Sequence, residues 1–419
     1  MNTQPAFTRA DGLRYGLLGL PLAFVALPLY VVLPNHYARE FGVPLAALGA
    51  VLLGARLFDA LIDPWIGRLN DRLFARSAAS VLGLGAVAAL ALLAGFGLLF
   101  FPPVIQHGEL LLWAGAALVL TYAGYSALSV AHQAWGARLG GDESQRGRIV
   151  AWREGLGLAG VLLASTISVA AGPAAATVAL AIALAAGWLA WSRSRQPPAA
   201  PLAVASSSLW LPLRQPAFRR LLAVFLLNGI ASAVPATLVL FFVQDRLQAP
   251  AALQPAFLGC YFLCAALALP LWLALVRRIG LARSWLCGMA LAIAVFIWAA
   301  ALGAGDSTSF LVVCALSGAA LGADLALPGA LLAGLIAQAG ERGRAEGAYF
   351  GWWNFATKLN LALAAGLALP LLAVAGYSPG ARDGAAMNAL VVAYCVLPCV
   401  LKLLAAATLY IGLVRPGRT

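Results

Sequence analysis

The sequence predicts an all-α membrane protein in which twelve transmembrane helices form two six-helix halves. The chain has 419 residues, of which 63% are hydrophobic and 10% charged, whereas a soluble domain carries roughly 25% charged residues. Its mean hydropathy is +0.91. It also contains twelve apolar runs near the roughly 20 residues that one bilayer crossing needs. These observations exclude an ordinary soluble enzyme.

Charge and run length define the predicted helices, because glycine and proline are tolerated inside membrane helices. The first run is too long for the core of a signal peptide, so we expect it to remain as a helix with no cleaved targeting segment. The runs span residues 14–36, 43–66, 79–101, 110–137, 149–172, 174–192, 218–243, 254–276, 284–304, 308–338, 347–375 and 385–413.

Basic residues are distributed unevenly over the two sides of the predicted membrane. The 27 basic and 15 acidic residues give a net charge of +12. Arginine is frequent in the loops after the even-numbered runs, while the opposite side has Arg39, Arg246 and Arg382. The positive-inside rule then puts both termini in the cytoplasm. We therefore expect a multi-pass protein of a bacterial cytoplasmic (inner) membrane, with no nucleic-acid partner.

The longest polar stretch between runs divides the chain in two. It is rich in proline, serine and arginine, which is typical of a linker. We predict a cytoplasmic linker over residues 193–217, an N-terminal half over residues 1–192 and a C-terminal half over residues 218–419.

The two halves also resemble each other in their loops. Gln145-Arg146-Gly147-Arg148 follows the fourth run, and Glu341-Arg342-Gly343-Arg344 follows the tenth. A match of four residues is weak alone, but the two segments occupy the same position in each half. This pattern favours a transporter built from parallel repeats, with substrate bound where the halves meet.

Three charged residues lie inside the second run. Arg56, Asp59 and Asp63 fall on one face of a helix by their spacing. Charge inside a bilayer costs several kcal/mol, and two carboxylates one turn apart repel each other unless a cation or a proton joins them. Oxygen ligands suit a hard cation, so we predict that Asp59 and Asp63 bind Na⁺ or H⁺. The alternative is that Arg56 neutralises one aspartate and the other caps a neighbouring helix.

The segment after this run carries a recognisable motif. Gly67-Arg68-Leu69-Asn70-Asp71-Arg72 resembles the G-x-L-x-D-R motif between helices two and three of the major facilitator superfamily. The resemblance implies a major facilitator fold and a cytoplasmic gate that includes Asp71 and Arg72. The alternative is a solvated turn without a gating role.

A longer segment makes the resemblance more specific. Residues 56–67, RLFDALIDPWIG, resemble the R-x-x-D-A-x-x-D-P-x-x-G signature of the glycoside-pentoside-hexuronide:cation symporters. Residues 142–154 resemble the loop and start of helix five in that family, and residues 344–358 resemble its loop and helix eleven. The resemblance implies cation-coupled transport of a sugar or sugar-like solute.

Individual roles follow from this resemblance. It implies that Asp59 and Asp63 hold the coupling cation, that Lys358 lies near them and that Arg153 lies close to the sugar cavity. Lys358 would neutralise the acid pair when no cation is bound. The alternative for Lys358 is a lysine whose ammonium group reaches the membrane surface.

The sequence departs from the family pattern at positions that contact sugar. Ala23 stands where a sugar-binding aspartate is found, and Ser129 where the family has Asp or Asn. Gly334 and Ala337 occupy positions that are usually acidic. These departures count against a galactoside and leave another sugar, a glycoside or a different organic solute open.

A third acid, Asp324, lies inside the tenth run. It could pair with Lys358, contact substrate, carry a proton or form a structural hydrogen bond. Aromatic and polar side chains on helices four, five and eleven can line a sugar cavity, although such aromatics also face lipid or pack between helices. The candidate cavity residues are Arg153, Trp152, Tyr122, Tyr125, Ser126, Ser129, Trp353 and Asn354. The candidate gate residues are Gly67, Asp71, Arg72, Arg146, Arg148, Arg344 and Glu346.

These residues together predict a secondary active symporter. We expect it to move a sugar, glycoside or sugar-like solute with Na⁺ or H⁺ by alternating access, as a monomer in the lipid bilayer and without a cofactor or further metal. The same fold carrying a lysolipid or another amphiphile is the main alternative. A membrane enzyme is disfavoured because no nucleophile with its base and no metal-ligand cluster is visible in the sequence.

Overall fold

The computed structural model describes residues 7–103, 107–198, 208–377, 380 and 383–415. Twelve long helical segments appear in this part of the chain, at the positions of the twelve predicted runs. The first, α1, covers residues 9–40 as the consecutive pieces Arg9–Gly16, Gly19–Phe24, Pro28–Val32 and Leu33–Glu40. The next five are α2 (Leu45–Arg76), α3 (Ala78–Phe100), α4 (His107–Leu139), α5 (Glu143–Ala170) and α6 (Gly172–Ser192).

The remaining six segments follow a short helix, Leu211–Arg214. They begin with α7 (Pro216–Phe241), which continues as a π-helical turn, Phe242–Arg246. A single 3₁₀ turn, Ala251–Leu253, precedes the next helix. The chain continues with α8 (Gln254–Ile279), α9 (Leu281–Ala300), α10 (Ser307–Gln338) and α11 (Glu346–Val374). The last, α12, covers residues 384–414 as Gly384–Val391, Val392–Val396, Leu397–Leu409 and Tyr410–Val414.

Length and composition identify most of these segments as candidate membrane helices. Nine helices in the described ranges are long and apolar enough to cross a bilayer. Prolines stand inside α2, α7, α8 and α10, which membrane helices tolerate because neighbouring groups satisfy the freed carbonyls. The structure confirms the predicted all-α membrane protein.

Short polar residues and glycine mark the ends of several helices. The Asp142 side chain accepts a hydrogen bond from the Gln145 N–H at the start of α5, at 2.7 Å. Ser77 caps α3 and Asp383 caps α12, as expected for residues whose oxygen satisfies a free N–H in the first turn. Gly280 separates α8 from α9 with φ of 82°, a conformation that glycine adopts without strain.

The internal contacts of the chain define two compact units. The first unit contains Met1–Pro212 and Ala333–Phe355, and the second contains Leu213–Leu332 and Ala356–Thr419. The end of α10 and the beginning of α11 therefore pack with the N-terminal helices in the first unit. The division into residues 1–192 and 218–419 around a linker stays a prediction.

Aromatic side chains form much of the buried core of the second unit. The rings of Phe242 and Tyr394 are stacked with centroids 4.2 Å apart. Phe310 packs against Phe242 and, edge to face, against Phe257. These contacts pack α8, α10 and α12 against the π-helical turn that continues α7.

Candidate functional site

The two faces of α2 differ sharply in polarity. Asp59 and Asp63 are only 6% and 0% exposed. Leu57, Leu61 and Trp65, which alternate with them in sequence, are each more than half exposed. A helix of a soluble protein shows the opposite pattern. The apolar face of α2 is thus suited to lipid, whereas its two carboxylates are buried.

A hydroxyl group from α4 reaches the first of these carboxylates. The buried Ser126 donates a hydrogen bond from Oγ to Asp59 Oδ1 at 2.7 Å. A hydroxyl oxygen also keeps lone pairs that can bind a cation. The structure therefore brings a predicted cavity residue, Ser126, to a predicted cation ligand, and the oxygen atoms at this place fit a hard cation such as Na⁺.

Other predicted cavity residues share this face of α4. Tyr122 and Ser129 are buried and Tyr125 is half-buried. Gln133 Nε2 donates to Ser129 Oγ at 2.9 Å. Since Tyr122, Ser126 and Ser129 are spaced by four and three residues, they lie on the same side of the helix.

The first turns of α11 contact α2 backbone to backbone. A Cβ atom on Gly67 would lie 2.1 Å from the carbonyl oxygen of Gly347, and one on Gly351 would lie 2.5 Å from that of Asp63. Only glycine permits this approach. Trp353 and Asn354 are buried in the same part of α11.

Asp71 binds the N-terminus of α11. Its carboxylate accepts hydrogen bonds from the backbone N–H groups of Gly347, at 2.7 Å, and Ala348, at 2.8 Å. The N-terminus of a helix carries partial positive charge and free N–H groups, so an aspartate is well placed there. The contact joins the C-terminal end of α2 to the start of α11.

A buried arginine, Arg138, completes this cluster. Its Nη2 lies 3.4 Å from Asp71 Oδ1 and 3.0 Å from Glu346 Oε2. Its Nη1 donates to the Gly343 carbonyl at 3.0 Å, and its guanidinium lies 4.0 Å from the Phe74 ring centroid, a cation–π geometry. We call Asp71, Arg138 and Glu346 the charge cluster.

The charge cluster holds two carboxylates and one cation in a site closed to solvent. Asp71 lies beyond the apolar run of residues 43–66, and Glu346 precedes that of residues 347–375. Burial raises the pKa of Asp71 to about 7, against the lowering effect of Arg138 and the two backbone donors. Burial also raises the pKa of Glu346. Burial thus favours the neutral form of both carboxyl groups, against the attraction of Arg138.

The other predicted gate residues lie outside this cluster. Arg72 and Arg344 are exposed, and Arg148 is half-buried. Arg146 donates to the Gly141 carbonyl at 2.8 Å. Three predicted gate residues lie in this region: Asp71 and Glu346 in the charge cluster, and Gly67 at its close approach to Gly347. The roles of the four arginines stay predictions.

Two arginines that the sequence did not single out take part in this region. Arg138 directly follows the fourth apolar run, and Arg342 donates to the carbonyls of Arg138 and Leu139, both at 3.3 Å. The only hint in the sequence was that each arginine lies near an apolar run. That position does not predict which arginine side chain is buried.

The predicted cavity residues of α5 contact neighbouring side chains and α1. Arg153 Nε donates to Glu154 Oε1 at 2.9 Å, so its charge is balanced locally. Trp152 fills the space beside Gly12, where a Cβ atom would lie 2.2 Å from the indole nitrogen. Both residues are half-buried, and packing against α1 accounts for at least part of the role of Trp152.

Lys358 and Arg56, the predicted charge partners of the acid pair, are both half-buried. Lys358 belongs to the second unit, whereas Asp59 and Asp63 belong to the first. Its approach to the acid pair stays a prediction.

Asp324 has a cation partner that the sequence did not identify. Lys402, on α12, donates from Nζ to Asp324 Oδ2 at 2.9 Å and to Asn228 Oδ1 at 2.7 Å. Asp324 also accepts from Trp285 Nε1 at 2.8 Å and from Ser232 Oγ at 3.2 Å. The expected candidate was Lys358. Lys402 could have been considered on the same ground as Lys358, since it also lies well inside an apolar run.

Comparison with known proteins identifies the family of this chain. The family model for "MFS/sugar transport protein" matches residues 14–412. The putative glycoside/cation symporter YagG of Escherichia coli (strain K12) is 27% identical over 167 residues, 38% of this chain and 35% of the relative. The match therefore spans about a third of the length of that curated relative.

Solved structures with the same architecture cover nearly the whole chain. A bacterial homologue of the iron transporter ferroportin, in an outward-facing state with soaked iron, has a TM-score of 0.71 at 16% identity, covering 96% of this chain and 98% of that one. A variant of the E. coli fucose:proton symporter FucP has a TM-score of 0.64 at 15% identity, covering 93% and 98%. At such identity these likenesses show the fold alone, and they confirm the major facilitator fold.

The family match also determines the class of activity, because its members are transporters and not enzymes. Together with the α2 signature, it confirms the predicted resemblance to the glycoside-pentoside-hexuronide:cation symporters. Since the match covers almost the whole sequence, this chain belongs to the MFS/sugar transport protein family of the major facilitator superfamily.

Proposed function

We propose that the protein is a secondary active transporter that moves an uncharged sugar, glycoside or sugar-like solute inward together with Na⁺ or H⁺. It acts as a monomer in a bacterial cytoplasmic membrane, with both termini inside. The observation that carries this proposal is the pair of carboxylates, Asp59 and Asp63, on the buried face of α2.

The energetics favour a cation at this pair. Two carboxylates at adjacent turns, both shielded from water, cannot both stay ionised without a nearby positive charge. A cation entering with a neutral solute gains about 2.3 kcal/mol per 100 mV of membrane potential. That free energy corresponds to roughly 50-fold accumulation of solute.

The charge cluster supplies a cytoplasmic gate for alternating access. For the inner side to open, Asp71 must leave the N–H groups of Gly347 and Ala348, and Arg138 must give up its buried carboxylate partners. Arg72, Arg146, Arg148 and Arg344 would then act at the margin of the gate. The solute would contact Arg153 and the polar face of α4.

The named relatives support the coupling of sugar to cation. YagG is described as a putative glycoside/cation symporter, and FucP as a fucose:proton symporter. Carried over to this chain, these descriptions favour a glycoside or sugar with a monovalent cation.

Uptake into proteoliposomes tests the proposal. Purified protein is reconstituted, and a Na⁺ or a pH gradient is imposed across vesicles offered a panel of labelled sugars and glycosides. We expect one of the two gradients to drive accumulation. Uptake of a lysolipid, with no gradient-driven uptake of any sugar or glycoside, would favour the amphiphile transporter instead.

Substitution of the acid pair tests the coupling itself. Asp59→Asn and Asp63→Asn should each lower gradient-driven uptake at least tenfold while the protein remains folded in the membrane. Asp306→Asn changes an acid in the turn before α10 and serves as the matched control. Full coupled uptake by both α2 variants would contradict the proposed cation site.

A further inference from the structure

We propose that an exposed group of arginines on the second unit binds an anionic phospholipid of the surrounding membrane. We call Arg214, Arg219, Arg220 and Arg415 the basic patch. All four residues are exposed and belong to the second unit. This inference goes beyond the proposed function, since it concerns a bound lipid and not the transported solute.

The basic patch lies where the ends of two membrane helices meet. Arg219 and Arg220 stand near the beginning of α7, and Arg415 directly follows the last residue of α12, so the patch marks one end of two candidate membrane spans. The start of α7 packs on the end of α12. A Cβ atom on Gly412 would lie 3.4 Å from Arg220 Cδ. The apolar stem of Arg220 thus lies on α12, while its charged head stays exposed.

The helices that form this region supply no acidic residue to balance the patch. Residues 155–244 and 384–419 contain no aspartate or glutamate. Helix α9, which also packs on the end of α12, has no acid either and adds Arg283 near its start. Among the described residues, none of the four arginines of the patch takes part in an ion pair. The patch therefore carries four positive charges without a carboxylate partner.

The position of Arg219 and Arg220 on their helix adds to this imbalance. They stand at the end of the first turn of α7, and the free N–H groups of that turn give the helix end a partial positive charge. The N-cap residue, Gln215, makes no capping hydrogen bond with its side chain. A second adjacent pair, Arg277 and Arg278, lies in the last turn of α8, where the same effect stabilises cations. An anion beside the start of α7 relieves a repulsion that the α8 pair does not experience.

An anionic phospholipid combines the two parts that this surface can bind. Arginine binds phosphate oxygens through two parallel N–H groups. Next to the patch, α12 exposes Leu404 by 51% and Ile411 by 62%, a surface suited to acyl chains. Tyr410 is exposed between them, and tyrosine is typical of the level of the lipid headgroups. A phosphate tethered to acyl chains on α12 stays beside the arginines, whereas a soluble phosphate ester does not, so we favour the lipid.

Reconstitution in lipid nanodiscs tests this inference. The full chain is placed in nanodiscs of phosphatidylcholine in which an increasing share of the lipid is replaced by phosphatidylglycerol, and the thermal midpoint is followed as a titration. We expect the midpoint to rise with phosphatidylglycerol. The rise should become smaller at high ionic strength, because salt screens contacts between exposed charges. Inorganic phosphate or glycerol phosphate, added to nanodiscs of phosphatidylcholine alone, should produce no comparable rise.

Two matched pairs of substitutions locate the effect. The double variant Arg219→Gln, Arg220→Gln should weaken the apparent affinity for phosphatidylglycerol about 30-fold, which corresponds to about 1 kcal/mol for each arginine. The double variant Arg277→Gln, Arg278→Gln removes the same charge from an exposed pair of the same unit and should keep the affinity of the natural protein. Arg415→Gln should weaken the affinity about fivefold, and it serves where the first double variant fails to fold.

Three results would overturn the proposed lipid site. An equal loss of affinity in both double variants would show that the lipid responds to the net charge of the protein and not to the basic patch. An equal rise of the midpoint with free phosphate would assign the patch to a soluble anion. No rise with phosphatidylglycerol in the natural protein would exclude the lipid. These measurements do not depend on uptake, so the lipid site and the proposed transport function can fail separately.

Discussion

Arg138 Nη2 lies 3.0 Å from Glu346 Oε2, and both side chains are at least 98% buried. The same guanidinium also approaches Asp71 at 3.4 Å. Removing one partner of a buried ion pair leaves an uncompensated charge, at a cost of about 3–5 kcal/mol. The Arg138–Glu346 pair joins α4 to the start of α11, beside the hydrogen bonds from α11 to Asp71 of α2.

Replacing the arginine should release this contact. We expect Arg138→Gln to lower stability by about 3–5 kcal/mol, because two carboxylates remain buried together. Thermal unfolding of the purified protein measures the loss. Arg277→Gln, at an exposed arginine near the end of α8, should change stability by less than about 0.5 kcal/mol. Adding Glu346→Gln to Arg138→Gln should recover part of the loss; no recovery would contradict the charge cluster as a unit.

The close approach of Gly67 to Gly347 gives a second prediction. Gly67→Ala places a Cβ atom about 2.1 Å from the Gly347 carbonyl oxygen, so the helices must separate. Overpacking of this kind costs about 1–3 kcal/mol. We expect a lower thermal midpoint and slower uptake.

Gly54→Ala provides the matched control on the same helix. A Cβ atom there meets nothing within 4 Å, and alanine favours a helix over glycine by up to about 1 kcal/mol. This variant should therefore be as stable as the natural protein or more so. Equal destabilisation by both substitutions would show that the contact with α11 is not the cause.

The pKa of Asp71 predicts how stability depends on pH. Burial raises this pKa to about 7 in the folded protein, from an ordinary value of 3.8. The folded state therefore binds the proton more tightly than the unfolded state. The resulting stabilisation is fully present below about pH 4 and is lost as pH rises through about 7.

A comparison of two pH profiles tests this sign. Between about pH 6 and about pH 8, the thermal midpoint should fall more steeply for the natural protein than for Asp71→Asn, which cannot titrate. Arg72→Gln, at the exposed neighbour, should keep the steeper profile. Parallel profiles for Asp71→Asn and the natural protein would contradict a raised pKa.

The sequence located the helices well because bilayer crossing imposes a strong apolar pattern. It placed the end of the second run at residue 66, while α2 continues to Arg76. Hydropathy reports where the bilayer ends, whereas the helix continues wherever backbone hydrogen bonds continue. The first run was predicted as one helix, and α1 is divided near Pro21, Pro28 and Pro34.

Pairing between distant charges was much harder to predict. Asp71 and Glu346 were identified from motifs, yet their shared partner Arg138 was one arginine among many near the ends of the apolar runs. Lys402 was passed over for Lys358 as the partner of Asp324. Which charges meet depends on helix packing between segments far apart in the chain, and the apolar pattern of one segment does not specify its neighbours.

The ion pair of Asp324 with Lys402 makes the last prediction, a rescue experiment. Asp324→Asn alone leaves a buried ammonium group, and Lys402→Met alone leaves a buried carboxylate, so each should lower stability by about 3–5 kcal/mol and uptake at least tenfold. The double variant carries no charge there, and it should unfold at a higher temperature than either single variant. Thermal unfolding measures the coupling directly. Lys358→Met combined with Asp324→Asn is the matched control: if that combination is rescued and the Lys402 combination is not, then Lys358 and not Lys402 is the functional partner of Asp324.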